Sequence, residues 1–145
     1  MAKVIIMQGV PGSGKSTFIR ALPGKVAVYS ADHYFEHYGE YRFDPSKLGE
    51  AHAACMRGFI GQLGRYQNVT VVVDNTNTTV LEVAPYMAVA AAYGCEVEIV
   101  RVKCDPEVAA ARNVHGVPLH AVRRMADNIA QFKAPPFWQF KLTEV

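Results

Sequence analysis

Gly9-Val10-Pro11-Gly12-Ser13-Gly14-Lys15-Ser16 is the stretch that decides the fold of this 145-residue chain. Immediately before it, Val4-Ile5-Ile6-Met7 is a continuous apolar run, the mark of a strand buried on both faces. Immediately after it, Lys15 to Leu22 reads as a short helix stopped by Pro23-Gly24. The eight residues fit G-x-x-x-x-G-K-[ST] in full, in the strand-to-helix setting the pattern requires. Each residue type has a physical task. Glycines let backbone N–H groups curl into a nest around a phosphate, and the helix start adds partial positive charge. Lys15 is a mobile point charge for terminal phosphates, and the Ser16 hydroxyl suits Mg²⁺, which prefers oxygen ligands. The stretch therefore predicts binding of ATP or GTP with Mg²⁺. Gly9, Pro11, Gly12, Ser13, Gly14, Lys15, Ser16 and Thr17 are its candidate contacts.

Outward from this loop, apolar runs recur at Val26 to Tyr29, Val69 to Val73 and Val97 to Val102. Helical patterns lie between them. One opens at Asp44-Pro45 and carries Leu48, Ala51, Cys55, Phe59 and Leu63 on one stripe. Further helices are expected from Ala84 to Tyr93, from Asp105-Pro106 toward Gly116, and from Pro118 to about Phe132. Strands alternating with helices at this rhythm predict an α/β three-layer sandwich around a parallel sheet. The length fits one domain over residues 1–145.

Several classes drop out. No apolar run reaches the ~18 residues of a membrane span, and the stretch Met1 to Val10 is too short for a signal-peptide core. Three cysteines, Cys55, Cys95 and Cys104, suggest no disulfide framework and fit a reducing, cytoplasmic setting. The net charge is only +2, but it is segregated. Residues 1–31 hold four bases and no acid, the middle is acidic, and residues 101–145 hold seven bases and four acids. That layout suits one nucleotide held between the parts. It does not suit a long basic track, so a nucleic-acid acceptor should be contacted over a few nucleotides only.

Two carboxylates follow strand ends. Asp74 ends Val71-Val72-Val73 and is a candidate to hold Mg²⁺; the alternative is a cap on the turn with Asn75 and Thr76. Asp32 follows the second strand, where a carboxylate can accept the proton of an attacking hydroxyl. Its alternative is the N-cap of a short helix over Asp32 to Glu36. Arg112, His115, Arg123 and Arg124 surround Gly116-Val117-Pro118 and read as a lid over about residues 106–125, or else as a solvated helix face. Arg112 and then Arg123 are its candidates to neutralise transferring phosphate. Tyr34, Phe35, Tyr38, Tyr41 and Phe43 either stack nucleobases or pack a small helix on the core. His33 and His37 have helical metal-pair spacing without a third ligand.

Four segments in register carry a family resemblance. Gly-Val-Pro-Gly-Ser-Gly-Lys-Ser-Thr from Gly9 resembles the loop of phage-type polynucleotide 5′-hydroxyl kinases. So do Ser-Ala-Asp-His-Tyr-Phe from Ser30, Asp-Asn-Thr-Asn from Asp74 and Arg-Asn-Val-His-Gly-Val-Pro from Arg112. Phe43-Asp44-Pro45 and Glu50-Ala51-His52 resemble short stand-alone members of that group. The likeness runs from Met1 to about Phe132. It implies transfer of the ATP γ-phosphate to a hydroxyl, with Asp32 as general base and Lys15 and Ser16 on phosphate and Mg²⁺. The stretch from Arg112 to His115 matches the family's lid.

It also makes His33, Tyr34, Phe35, Asn75, Asn77 and His115 candidate acceptor contacts. Where the phage enzyme follows its base with Asp-Tyr-Arg, this chain has His33, Tyr34 and Phe35, and His115 stands near an expected lid arginine. The chain has no Asp-x-Asp-Gly-Thr phosphatase run and no Lys-x-Asp-Gly ligase motif. The expected acceptor is a polynucleotide 5′-OH. Alternatives are the hydroxyl of a modified DNA base, a nucleoside or small molecule, or a nucleotide-dependent switch without transfer activity.

Overall fold

A computed structural model of the chain describes residues 2–65 and 68–145. Met1, with which the apolar opening stretch and the family resemblance begin, lies outside the described residues. In chain order the strands are β1 (Lys3–Gln8), β2 (Val26–Tyr29), β3 (Glu36–His37), β4 (Glu40–Tyr41), β5 (Thr70–Val73), β6 (Glu96–Arg101) and β7 (Lys141–Glu144). The helices are α1 (Lys15–Arg20), α2 (Leu48–Leu63), α3 (Val80–Ala92), α4 (Pro106–Arg112) and α5 (Leu119–Ala130).

Five strands form one parallel sheet in the order β2-β5-β1-β6-β7. The most apolar run is the central strand. Ile6 of β1 stands beside Val73 on one side and Ile99 on the other. Its side chains alternate between two cores, as a pleated strand requires. Val4 and Ile6 pack with Cys55, Phe59 and Leu63 of α2 and Val83, Tyr86 and Met87 of α3. Ile5 and Met7 face the other way, onto Phe18 and Ile19 of α1. A third, smaller cluster joins Val10 to Ala109 of α4 and Val122 of α5. Phe59, fully buried edge-on to Tyr86 at 5.1 Å, anchors the α2–α3 layer. Its truncation to alanine should cost about 3–5 kcal/mol.

The expected α/β class and the four expected strands, β1, β2, β5 and β6, are present, and several boundaries differ. α3 begins at Val80, ahead of the expected Ala84, because Thr79 and Glu82 form a capping box. Pro85 lies inside that helix and does not start it. α4 ends at Arg112, short of Gly116. Asp44 caps the 3₁₀ turn Pro45–Lys47, which leads directly into α2. The segment after Ser30 is a 3₁₀ turn (Ala31–Phe35) followed by the hairpin β3–β4. His33 and His37 therefore share no helix, and the helical metal pair that their spacing allows is not formed. The tail supplies β7, which pairs with β6 from Glu98↔Lys141 to Arg101↔Glu144. No helix among the described residues is long and apolar enough to cross a membrane.

Candidate functional site

The site lies where β1, β2 and β5 end side by side, the position at which parallel α/β sheets leave an open crevice. After Gln8 the chain turns through Gly12 (φ +82°) and Gly14 (φ +111°) into α1, whose first turn holds no acid and no side-chain cap. Both glycines are in the left-handed region, where a Cβ is strained. The loop carries an unmet need. Ser13 is buried, its N–H donates to the Val10 carbonyl at 3.1 Å, and its Oγ has no partner. A buried hydroxyl in that state costs free energy until a ligand supplies the bond. Lys15 Nζ donates to the carbonyls of Gly9 (3.0 Å) and Val10 (3.1 Å), folded back along the loop. Burial lowers the Lys15 pKa, while the carboxylates of Asp74 and Asp32 pull it up. Pro11 is half-buried, and Ser16 and Thr17 are exposed at the loop's open side.

Asp74 sits one residue beyond β5, its N–H bonded to the Tyr29 carbonyl at 2.8 Å. Burial raises its pKa, with Lys15 opposing, Asp32 adding to the rise and His33 opposing. The four groups thus share one electrostatic environment. Asp32 lies in the 3₁₀ turn, and Ser30 is the cap of that turn: Ser30 Oγ accepts the Asp32 N–H at 3.1 Å. The Asp32 side chain is therefore free of the capping role and is half exposed. The Tyr41 hydroxyl donates to its Oδ1 at 3.2 Å. His115 Nε2 stands 3.7 Å from its Oδ2. Burial and the Asp32 charge push the Tyr41 hydroxyl pKa up to about 12, so it stays a donor.

The surrounding asparagines brace backbone. Asn75 Oδ1 accepts the Ala31 N–H at 2.9 Å, and its Nδ2 reaches Cys55 Sγ at 3.7 Å. Asn77 is buried; its Nδ2 donates to the Met7 carbonyl at 2.7 Å, and its own carbonyl accepts from Gln8 Nε2 at 3.0 Å. Asn77 is thus a structural tie between β1 and the turn after β5, which corrects its expected acceptor role. Phe35 is corrected likewise, being 2% exposed and packed with Ala31 and Ala51. Tyr34 donates to Glu50 at 2.6 Å, and His33 is exposed beside the carboxylates.

The segment from α4 to α5 meets the loop through backbone first. A Cβ at Gly12 would collide with the Ala109 carbonyl and stand 2.9 Å from the Asn113 nitrogen. Asn113 then ties a short loop: its Nδ2 donates to Ala110 and Val117 carbonyls, and its Oδ1 accepts the Val117 N–H at 2.9 Å. That loop carries His115 to Asp32. The arginines point elsewhere in this structure. Arg112 donates to Cys104 Sγ at 3.1 Å, and Arg123 of α5 pairs with Glu107 of α4 at 2.6 Å on an exposed face. Such an exposed pair contributes ~0–1 kcal/mol, too little to hold Arg123 there against a phosphate.

Among the described residues no group of three or more His, Cys, Asp and Glu is arranged around a metal. One half-buried carboxylate, Asp74, and one exposed hydroxyl, Ser16, instead suit a hard divalent ion that keeps waters and phosphate oxygens as its other ligands. The desolvation of Asp74, which Lys15 only partly offsets, and the orphaned Ser13 hydroxyl both fit a Mg²⁺–nucleotide. Tyr41 is the functional candidate that sequence reading passed over as one aromatic among five. Its signal was the Tyr38-Gly39 turn, which places Tyr41 on a hairpin.

A parallel sheet with a glycine loop after its central strand, and carboxylates after the next two strands on one side, β5 and β2, defines the P-loop kinase fold. The chain belongs to the AAA domain family, whose model matches residues 4–131. It is 32% identical to human NEDD4-binding protein 2 over 92% of its own length, and spans 8% of that relative. Among solved structures it is similar to a chain of the Pnkp1/Rnl/Hen1 RNA repair complex, with a TM-score of 0.70 and 18% identity. That match covers 90% of this chain and 44% of the other. It is also similar to the Mycobacterium tuberculosis APS kinase CysC, solved with AMPPNP and APS, with a TM-score of 0.59 and 20% identity. There 98% of this chain and 88% of the other are covered.

Proposed function

We propose that this chain is a Mg²⁺–ATP-dependent kinase that transfers the γ-phosphate to a hydroxyl of a nucleic acid, most simply a polynucleotide 5′-OH. The observation that carries the reading is Asp32: a carboxylate relieved of capping by Ser30, beside Lys15 and Asp74 at adjacent strand ends. A nucleotide switch has no need of a hydroxyl-activating carboxylate there.

In this reading residues 1–145 act as one kinase domain with its lid at about 106–125. The loop N–H groups, the Ser13 hydroxyl and Lys15 hold the phosphates. Ser16 and Asp74 hold Mg²⁺, which supplies charge neutralisation on the phosphate oxygens. Asp32 takes the proton of the acceptor hydroxyl as that oxygen attacks, and Lys15 balances charge on the transferring group. Arg112 and Arg123 leave their surface partners on lid closure, and Arg112 is the first candidate to reach phosphate. His33, Tyr34, Asn75 and His115 border the acceptor side. GTP remains an alternative donor, since none of the contacts described reads a base.

The similarity to a chain of the Pnkp1/Rnl/Hen1 RNA repair complex supports a nucleic-acid acceptor. A second reading, a small-molecule acceptor, is favoured by a different observation. Glu36, Glu40 and Glu50 are exposed around the acceptor side, where a polynucleotide backbone would meet negative charge. The test incubates the protein with γ-labelled ATP and Mg²⁺ against 5′-hydroxyl oligonucleotides, hydroxymethylated DNA, nucleosides and small alcohols. Label on an oligonucleotide 5′ end is expected. Label confined to a small alcohol or nucleoside would overturn the nucleic-acid reading, and label on none of them would overturn the kinase.

A further inference from the structure

Both oxygens of Asp32 are approached by side chains that the chain brings from widely separated elements. Tyr41 comes from β4, and His115 from the loop between α4 and α5. We propose that Tyr41 is a positioning residue for the Asp32 carboxylate and seats His115 over its second oxygen until an acceptor hydroxyl displaces the imidazole. The proposal rests on Asp32 being the group that activates the acceptor.

Tyr41 is the fixed member. Its ring is stacked on Phe43 (centroids 6.4 Å apart, planes at 5°) and stands edge-on to buried Phe35 at 6.2 Å. β4 holds its backbone against Glu36 of β3. A phenol so placed presents its hydroxyl to Oδ1 at 3.2 Å in one direction only. Fixing Oδ1 also fixes the rotation of the carboxylate, and so the direction in which the Oδ2 lone pairs point.

His115 is the replaceable member. Its Nε2 is 3.7 Å from Oδ2, beyond hydrogen-bond length, so a hydroxyl at ordinary distance would bind that oxygen better. The imidazole is held mainly by the Tyr41 ring, 4.1 Å away and tilted by 45°. Its loop is already shaped: the Asn113 side chain closes residues 113–117, and Gly116 takes φ +71°. The loop can therefore move as a unit, withdrawing His115 without reorganising itself. While seated, it stands over one oxygen of a carboxylate that is otherwise half exposed to water. Tyr41 thus links the acceptor carboxylate to the position of the lid.

The closing experiment has a spectroscopic arm and a kinetic arm. In the wild-type protein, the His115 imidazole C–H resonances should be displaced by the Tyr41 ring current and return to exposed-histidine positions in Tyr41→Leu. Undisplaced resonances in the wild type overturn the seating of His115. In the kinetic arm, γ-labelled ATP is offered with water or a 5′-hydroxyl oligodeoxynucleotide as acceptor. Tyr41→Phe keeps the ring and removes the hydroxyl. It should lower kcat about tenfold with KM for ATP within about twofold. Adding Tyr41→Phe to Asp32→Asn should lower turnover no further, since the hydroxyl acts through that carboxylate. Multiplicative losses in the double variant would overturn the positioning role. His115→Ala should raise hydrolysis by water and lower KM for the oligonucleotide; a raised KM would make His115 an acceptor contact and overturn its displacement. If Asp32→Asn alone leaves turnover unchanged, the reading of Asp32 as base falls, and the imidazole resonances still decide whether Tyr41 seats His115.

Discussion

Ser30 Oγ accepts the backbone N–H of Asp32 at 3.1 Å, so the hydroxyl two residues upstream performs the capping that the Asp32 carboxylate would otherwise perform. The two side chains should therefore separate cleanly on mutation. Asp32→Asn is expected to keep Tm and nucleotide affinity near wild type while lowering transfer by about 10²–10⁴-fold. Ser30→Ala should lose about 1 kcal/mol of stability and much less turnover. Thermal melts and γ-label transfer on both variants check this. A large Tm loss in Asp32→Asn would assign that carboxylate to the turn instead.

Gly12 carries two constraints at once, and Gly14 only one. Gly12 combines φ +82° with the Ala109 carbonyl against its missing Cβ, whereas a Cβ at Gly14 (φ +111°) would meet only Val102 Cγ1 at 3.9 Å. Gly14→Ala should cost about 1–3 kcal/mol of backbone strain. Gly12→Ala should cost more, because it also forces α4 away from the phosphate loop. A fluorescent nucleotide titration beside thermal melts should rank Gly12→Ala as the more damaging for both affinity and Tm. Equal effects would show that α4 does not seat on Gly12.

What the sequence made legible follows from how each element is stabilised. β1, β2, β5 and β6 announce themselves because strands buried in a parallel sheet must be apolar along their length. β7 does not, since Lys141-Leu142-Thr143-Glu144 is an edge strand with exposed side chains at three of four positions. The hairpin β3–β4 has two residues per strand, below the length at which alternation can be read. At the site, Lys15, Asp32 and Asp74 were readable because each lies at a fixed offset from a strand. Tyr41 and His115 were not readable as partners of Asp32. Their meeting depends on the hairpin's fold-back and on where α4 ends, which no local pattern encodes.

Asp74 should trade stability for binding. Burial raises its pKa, so the folded state holds the proton more tightly than the unfolded chain does. An ionised Asp74 at neutral pH therefore costs stability, although Lys15 offsets part of it. Asp74→Asn removes the charge and should raise the Tm of the nucleotide-free protein. The same variant should lose the stabilisation given by Mg²⁺–ATP, about 2.7 kcal/mol at a ligand concentration of 100 times Kd. Melts with and without Mg²⁺–ATP check both signs. A nucleotide-free Tm that falls would indicate that the attraction of the Lys15 charge outweighs desolvation.

Glu98 is a carboxylate of the opposite kind, placed to stabilise the fold and remote in role from phosphate chemistry. It is buried on β6; Lys3 Nζ of β1 lies 2.9 Å from its Oε1, and the Thr143 hydroxyl of β7 donates to its Oε2. Burial works to raise its pKa, but the Thr143 hydroxyl and the Lys3 charge outweigh it, and the folded-state pKa is lowered. The sign of the linkage is then fixed: Glu98 contributes stability above its unfolded pKa, near 4.5, and that contribution fades as pH falls through the lower folded value. Glu98→Gln should destabilise the protein by about 1.5–3 kcal/mol at pH 7, the range for hydrogen bonds to a charged group. The deficit should shrink as the melts are carried from pH 7 to pH 3. Thr143→Val should reproduce part of the loss, because it removes a side-chain bond that adds to the backbone pairing of β7 with β6. A deficit that stays constant with pH would mean that Glu98 acts through its shape and not through its charge.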